Sequence, residues 1–373
     1  MSIYTTRLDK IRRAMADNEI DLLFLPPSPY MYYATGIHEL FFPLIKVPGD
    51  WLGGVLVSPD RAPVFMVQWM LARHVEMDAT DVVDTRTLED GVDPFDLLRT
   101  VLAEFPHVRR LGVADQTWAR TVEAFRAALP EASIVTCGGF LDKLLAIKDE
   151  DALRRMRRAA AITDEAHPDV LSRLKLGMTV RDVVLEVDYQ LRRHGAEDNS
   201  FQTGIVFTRP DGPPSSLERV LATGDSITFD YGCRAAGYSS DFGRSAFAGE
   251  PPDEYRRVHE TVLAAQAAGM AAMKAGQITG AQADAVARQV IIDAGYGPNF
   301  THRLGHGIGI KVHERPFLDA GDETVLEAGM TFTVEPSIRV PGTFANRVED
   351  VVLVTADGGE FLNHCARDLF VVA

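Results

Sequence analysis

Three of the ten histidines fall inside one short stretch, Thr301-His302-Arg303-Leu304-Gly305-His306-Gly307-Ile308-Gly309-Ile310-Lys311-Val312-His313-Glu314. Imidazoles clustered this densely can ligate a metal or move protons near neutral pH. His302 and His306 have the i, i+4 spacing of one helix face. The interleaved Gly305, Gly307 and Gly309 oppose a helix, because each costs about 1 kcal/mol relative to Ala. Repeated glycine instead predicts backbone held close to something, such as a ligand. A zinc helix of the His-Glu-x-x-His type is excluded, since position 303 is Arg.

Two pairs of carboxylates flank that stretch. Asp230 closes the apolar run Ser226-Ile227-Thr228-Phe229, where a carboxylate is costly unless it is paired or bound to a metal. Gly232 and Gly237 bracket a turn, so the segment reads as a hairpin returning Asp241 towards Asp230. Glu335 ends the run Met330-Thr331-Phe332-Thr333-Val334, and Pro336 stops it. Asn346-Arg347-Val348-Glu349-Asp350 leads into the apolar strand Val351 to Val354. By alternation Arg347 and Glu349 share one face, where a surface salt bridge is the competing explanation. Four carboxylates and one histidine are hard, oxygen-dominated ligands, suited to two divalent ions of the manganese or cobalt type. Without cations the four would repel one another strongly.

The elements that must position these residues lie in two segments. In the first, Arg7, Leu8, Ile11, Met15 and Ile20 are spaced as on a helix, and Asp21–Leu25 is a buried strand stopped by Pro26-Pro27. Strands at 54–57, 63–67 and 111–114 and a helix from Pro94 to Phe105 complete an α/β pattern ending near residue 145. In the second, helices are predicted at Asp149 to Leu174, from Thr179, at Asp253 to Lys274 and at Gly280 to Ala294. Thr179-Val180-Arg181-Asp182 resembles a capping box with Asp in the usual Glu position.

A faint repeat runs through this second segment. Leu174-Lys175-Leu176-Gly177 resembles Met273-Lys274-Ala275-Gly276, and a helix follows each. Gly224-Asp225-Ser226-Ile227-Thr228-Phe229-Asp230 matches Gly329-Met330-Thr331-Phe332-Thr333-Val334-Glu335. The offset stays near 100 residues and the order is preserved. A duplicated unit would place Asp230 and Glu335 at equivalent positions, a way to build a site for paired metal ions.

Composition bounds the function classes. The chain has 373 residues, 46% hydrophobic, with 38 Lys plus Arg against 53 Asp plus Glu and a net charge of -15. Length favours two domains. The acidic balance argues against nucleic acid and against anionic membrane surfaces as partners. Cys137, Cys233 and Cys365 are far apart and odd in number, which predicts reduced thiols in a cytoplasmic protein. No apolar run has the length of a membrane span.

The order Asp, Asp, His, Glu, Glu resembles the metallopeptidase family of the pita-bread fold, which contains Xaa-Pro aminopeptidases, prolidases and methionine aminopeptidases. The resemblance rests on Gly224-Asp225 leading to Asp230-Tyr231-Gly232, on Gly237-Tyr238-Ser239-Ser240-Asp241, on His302 to Glu314, on Glu335-Pro336 and on Arg347-Val348-Glu349-Asp350. It implies an α/β creatinase-like N-terminal domain at 1–145. An α+β pita-bread catalytic domain with a pseudo-two-fold internal repeat would follow at 146–373. It implies five metal ligands: Asp230 on one ion, His306 and Glu335 on the other, Asp241 and Glu349 bridging. The ions would be two divalent cations, Mn2+ first, with Co2+ or Zn2+ as alternatives. A bridging hydroxide would attack the scissile carbonyl, with Glu335 as proton shuttle. His302 and His313 would line the pocket and stabilise the oxyanion, while Arg347 orients Glu349 or contacts substrate. The substrate would be a small Xaa-Pro peptide and the protein a homodimer.

Two departures stand out. Pro213 occupies the place where the Xaa-Pro branch carries a pocket histidine, within Arg209-Pro210-Asp211-Gly212-Pro213-Pro214. This keeps open a non-peptide hydrolase or a lyase acting on a small polar metabolite. Gly243 stands where the family often has Thr. A metal-free relative and a pure binding protein are the weaker readings, because all five ligand positions are filled.

Overall fold

Leu22–Leu25 is a four-residue strand buried along its whole length, as an uninterrupted Leu-Leu-Phe-Leu run requires. It lies inside a six-stranded sheet ordered Asp84–Leu88, Val64–Gln68, Gly54–Val57, Leu22–Leu25, Arg110–Val113 and Ser133–Thr136. The last two strands run parallel to Leu22–Leu25, and Gly54–Val57 runs antiparallel to it. The computed structural model describes residues 2–37, 49–72, 83–213 and 215–373. Pro214 therefore lies outside the described residues.

The chain divides into two compact units, Met1–Leu145 and Ala146–Ala373. In the first, helix Pro94–Leu102 begins at an Asp93 cap and buries Leu98, Val101 and Leu102 in a core shared with Phe24, Leu56, Met66 and Phe125. The Phe24 and Phe125 rings meet edge to face at 5.0 Å. Each such side chain contributes about 1.5–3 kcal/mol on burial. Sequence patterning does not reveal strands Asp84–Leu88 and Ser133–Thr136. Both are edge strands with polar, partly exposed residues, so they carry no apolar run.

The second unit pairs helices with two main sheets. One is ordered Phe370–Val372, Phe242–Ala248, Ser226–Tyr231, Gly204–Thr208; the other Glu314–Leu318, Gly305–Gly307, Thr331–Val334, Asp350–Val354, Gly359–Phe361. The four helices are Glu150–Arg173, Val180–Arg193, Asp253–Ala272 and Gly280–Asp293. The third stops two residues short of Lys274, because the Lys274 backbone turns into a parallel bridge with Thr355.

The internal repeat is realised bond for bond. Thr179 and Thr279 both close capping boxes, with Asp182 and Gln282. Thr179 bridges Val220, and Thr279 bridges Val325. The Gly177 N–H donates to Leu221 O at 2.9 Å and the Gly276 N–H to Leu326 O at 2.7 Å. Gly224 and Gly329 both take positive φ, +92° and +90°, immediately before the strands that carry Asp230 and Glu335. Glycine is favoured there because a side chain would be strained in that region. The two halves thus present Asp230 and Glu335 from the ends of equivalent strands, one in each sheet.

Candidate metal centre

Strand register brings the acidic residues together. Asp230 pairs with Gly243 across the antiparallel strands Ser226–Tyr231 and Phe242–Ala248. Gly243 bridges Glu349 in turn. Between Asp230 and Asp241 the chain makes the predicted excursion, with short antiparallel strands Cys233–Ala235 and Tyr238–Ser239 joined by a turn in which Ala236 and Gly237 have positive φ. Val334 pairs with Asp350, so Glu335 and Glu349 leave neighbouring strands side by side. His306 sits mid-strand in Gly305–Gly307, where the Thr333 hydroxyl accepts its N–H at 3.0 Å and donates to Glu335 Oε1 at 3.1 Å.

The glycines around His306 hold their backbone close to other parts of the protein. A Cβ on Gly305 would overlap the Thr333 carbonyl oxygen. One on Gly307 would lie 2.7 Å from Glu314 O, and one on Gly309 2.8 Å from both Glu314 Oε1 and Lys148 Cε. At these three positions the backbone approaches Thr333, Glu314 and Lys148. Behind it, Lys148 Nζ and Glu314 Oε2 form an ion pair of 2.7 Å with side chains 2% and 3% exposed.

Donor atoms of Asp241, His306 and Glu349 lie within 4.8 Å of one another, all buried. The Nδ1–H of His306 donates to Gly307 O at 3.1 Å, since a carbonyl can only accept. Nε2 therefore presents a lone pair, 3.5 Å from Asp241 Oδ2 and 3.5 Å from Glu335 Oε1. The lone pair faces the two carboxylates, and buried Asp241 Oδ1 has no hydrogen-bond partner. Burial, and after it the Asp230 charge, push Asp241 well above the usual carboxylate range. Burial raises Glu349 likewise, reinforced by Asp241 and Glu335, and raises Glu335 against the opposing charge of Arg347. Burial lowers His306 and keeps it neutral. A divalent cation satisfies such a set of buried oxygen and nitrogen donors, so these residues fit metal.

Asp230 and Glu335 join through Arg347. Its guanidinium is 2.5 Å from Asp230, 3.5 Å from Glu335 and 3.5 Å from Glu349. Against its own burial, Glu349, Glu335 and Asp230 raise its pKa and hold it charged. The surface-salt-bridge alternative for Arg347 and Glu349 is corrected: the Arg347 side chain is 11% exposed and that of Glu349 2%.

Asp230, Asp241, His302, His306, His313, Glu335, Arg347 and Glu349 all line one cleft of about 550 Å³. His302 uses both ring nitrogens within the fold: Nδ1–H donates to Arg303 O at 2.7 Å, and Nε2 accepts from the Ser337 hydroxyl at 2.6 Å. Burial, then the Arg347 charge, lower it to about 4, so it is neutral and has no spare proton for an oxyanion. His313 packs its ring 4.1 Å from that of His306. Desolvation there, followed by the neighbouring His306 ring and the Arg303 charge, lowers it to about 4. Pro213 is exposed, its carbonyl accepting from Arg219, and it is not among the lining residues. Phe201, Arg303, Val312 and Asp319 complete the lining. Sequence reasoning met Arg303 only as the residue that spoils a zinc motif, and Phe201, Val312 and Asp319 carry no motif.

Comparison with known proteins gives consistent matches. Residues 154–356 match the profile of metallopeptidase family M24, and residues 7–146 that of the Creatinase/Prolidase N-terminal domain. A Xaa-Pro dipeptidase of Lactobacillus delbrueckii subsp. lactis is 31% identical over 379 residues, covering 98% of this chain and 98% of that protein. The solved structure of a Xaa-Pro dipeptidase from Bacillus anthracis is similar with a TM-score of 0.87 at 29% identity, over 99% of this chain and 100% of that one. An X-Pro aminopeptidase structure from Thermotoga maritima MSB8 gives 0.85 at 27% identity, over 96% and 100%.

Proposed function

The chain belongs to metallopeptidase family M24, and from that membership we propose that it is a metal-dependent exopeptidase cleaving the amide bond of Xaa-Pro peptides. The observation that carries this reading is the set of buried acceptors, His306 Nε2 with Asp241, Glu335 and Glu349, gathered at a spacing that suits divalent cations. Asp230, Asp241, His306, Glu335 and Glu349 would hold two divalent ions, whose chemistry is to polarise the scissile carbonyl and activate water at neutral pH. Manganese is our choice of native ion, since oxygen donors dominate the set.

The chain's own residues do the rest. Glu335, fixed by the Thr333 hydroxyl, takes the proton from the attacking water and passes it to the leaving nitrogen. Neutral His313, whose ring nitrogens make no hydrogen bond among the described residues, donates to the carbonyl oxygen as charge develops there. His302, locked by Ser337 and the Arg303 carbonyl, serves as a rigid wall. Arg347 positions Asp230, Glu335 and Glu349 together and keeps their separation fixed.

We place the protein in the cytoplasm as a homodimer. All three cysteines are free, and no helix of the described residues is long and apolar enough to cross a membrane. A sedimentation mass equal to the 41.0 kDa of one chain at micromolar concentration contradicts the dimer. The metabolite hydrolase or lyase reading rested on Pro213, which is not part of the cleft lining, and the matched relatives carry peptidase names. Hydrolysis of Ala-Pro or Leu-Pro by manganese-loaded protein, with Asp241→Ala as the dead control, tests the function. Full metal loading with no release of proline refutes it.

A further inference from the structure

Helix Asp253–Ala272 turns Val258, Val262 and Met270 into the core, and on the same buried face stands an amide, Gln266, 1% exposed. A buried amide must find its partners inside the protein. Its Nε2 donates to Val334 O at 3.0 Å and to Asp350 Oδ2 at 2.9 Å, with Val348 O further off at 3.4 Å. The two carbonyls belong to the peptide units that lead into Glu335 and Glu349. The N–H of each unit is held as well, that of Glu335 by Leu304 O at 2.8 Å and that of Glu349 by Gly243 O at 2.9 Å. One side chain thus grips both peptide planes from which these two carboxylates leave the backbone.

Asp350 anchors the grip. Its Oδ1 accepts from Arg244 at 2.7 Å, and Oδ2 also accepts from Arg367 Nε at 2.8 Å. Arg244 in turn donates to Gly243 O and to Glu349 O, both at 2.8 Å. None of these groups lines the cleft. The helix itself does not call for glutamine. Seven positions before Leu174, which the repeat aligns with Met273, the first half has His167 where the second has Gln266. The His167 ring bonds the Tyr231 hydroxyl at 2.8 Å and holds no pair of strand carbonyls. The amide is therefore particular to the half that carries Glu335 and Glu349.

We propose that Gln266 is a positioning residue that sets the separation of Glu335 and Glu349, and through it the affinity of the centre for its ions. This rests on the metal-centre reading above. The test compares wild type, Gln266→Met and Val262→Ala, the last a control that hollows the same core one helical turn away and removes no hydrogen bond. Manganese binding is followed by calorimetry and by the electron paramagnetic resonance of the bound ions, and urea unfolding ranks the stabilities. Gln266→Met is expected to bind manganese roughly 10- to 100-fold more weakly than wild type, the usual effect of losing a group that orients a ligand, and to give an altered spectrum. Val262→Ala unfolds at lower urea yet matches wild type in affinity and spectrum. Should Gln266→Met not fold, Gln266→Asn, whose amide is one methylene too short for both carbonyls, is read in its place. Wild-type affinity and spectrum in the Gln266 variant overturn the proposal, and so does an equal loss in Val262→Ala. Wild type that binds no manganese refutes the metal centre itself and takes the proposal with it.

Discussion

Gly243 and Glu349 bond to each other through their backbones in both directions, the Gly243 N–H donating to Glu349 O at 3.3 Å and the Glu349 N–H to Gly243 O at 2.9 Å. The two residues occupy equivalent positions in the two halves of the repeat, so this bridge joins the sheets where the halves meet. A Cβ at Gly243 would lie 2.8 Å from Glu349 Oε2 and 3.0 Å from Arg347 Cδ. The space that a side chain at this position would take is filled by the Glu349 and Arg347 side chains.

Gly243→Thr is therefore expected to destabilise the second unit by about 1–3 kcal/mol, the usual cost of overpacking. It also displaces Glu349, so bound metal per chain falls. Urea midpoints and metal analysis of the same preparation check both effects.

Asp241→Asn has opposite effects with and without metal. In metal-free protein it removes a buried carboxyl whose ionisation burial and Asp230 oppose, and the urea midpoint rises by the equivalent of about 1–3 kcal/mol. In manganese-containing buffer the variant lies below wild type, because a ligand that binds only the folded state stabilises it by mass action. Peptide turnover falls roughly 1000-fold or more.

Lys148→Met leaves Glu314 buried without its counter-charge and is expected to cost about 3–5 kcal/mol. The double variant Lys148→Met with Glu314→Gln recovers most of that loss. Glutamine still accepts the Lys311 N–H that Glu314 Oε1 takes at 3.1 Å, but needs no cation. A double variant no more stable than the single one refutes the assignment.

His167 makes stability fall with acid. Its Nδ1 lies 2.8 Å from the Tyr231 hydroxyl among Phe229 and Phe242, and burial lowers it from 6.5 to about 3. The folded state holds the ring neutral while the unfolded chain binds a proton below about 6.5. Its contribution is complete above that pH and is lost as pH falls towards 3. His167→Gln is expected to reduce the stability difference between pH 7 and pH 4.5 by about 2–3 kcal/mol, measured by urea unfolding.

Much of the site was legible in the sequence, because each ligand stands at a strand end that an apolar run and a stop signal mark out. Pro336 after Glu335 and the turn glycines after Asp230 are such marks. The repeat was legible through its two Lys-x-Gly turns, each followed by a helix, and its two Gly-x-Ser/Thr-containing strand entries. Contacts between strands about 100 residues apart were not. Nothing along the chain shows that Gly305 abuts Thr333, or that Gly243 abuts Glu349. Gln266 was equally hidden, since its partners Val334 and Asp350 lie 68 and 84 residues further along.

Strand Phe370–Val372 runs parallel to Phe242–Ala248, the strand whose Gly243 joins Asp230 to Glu349. The order of synthesis therefore becomes a safeguard. Asp230 and Asp241 leave the ribosome more than 100 residues before Glu349, and the strand that flanks their sheet follows Glu349. A chain that has not reached Glu349 has only part of the ligand set, so the complete metal centre waits for both halves of the repeat.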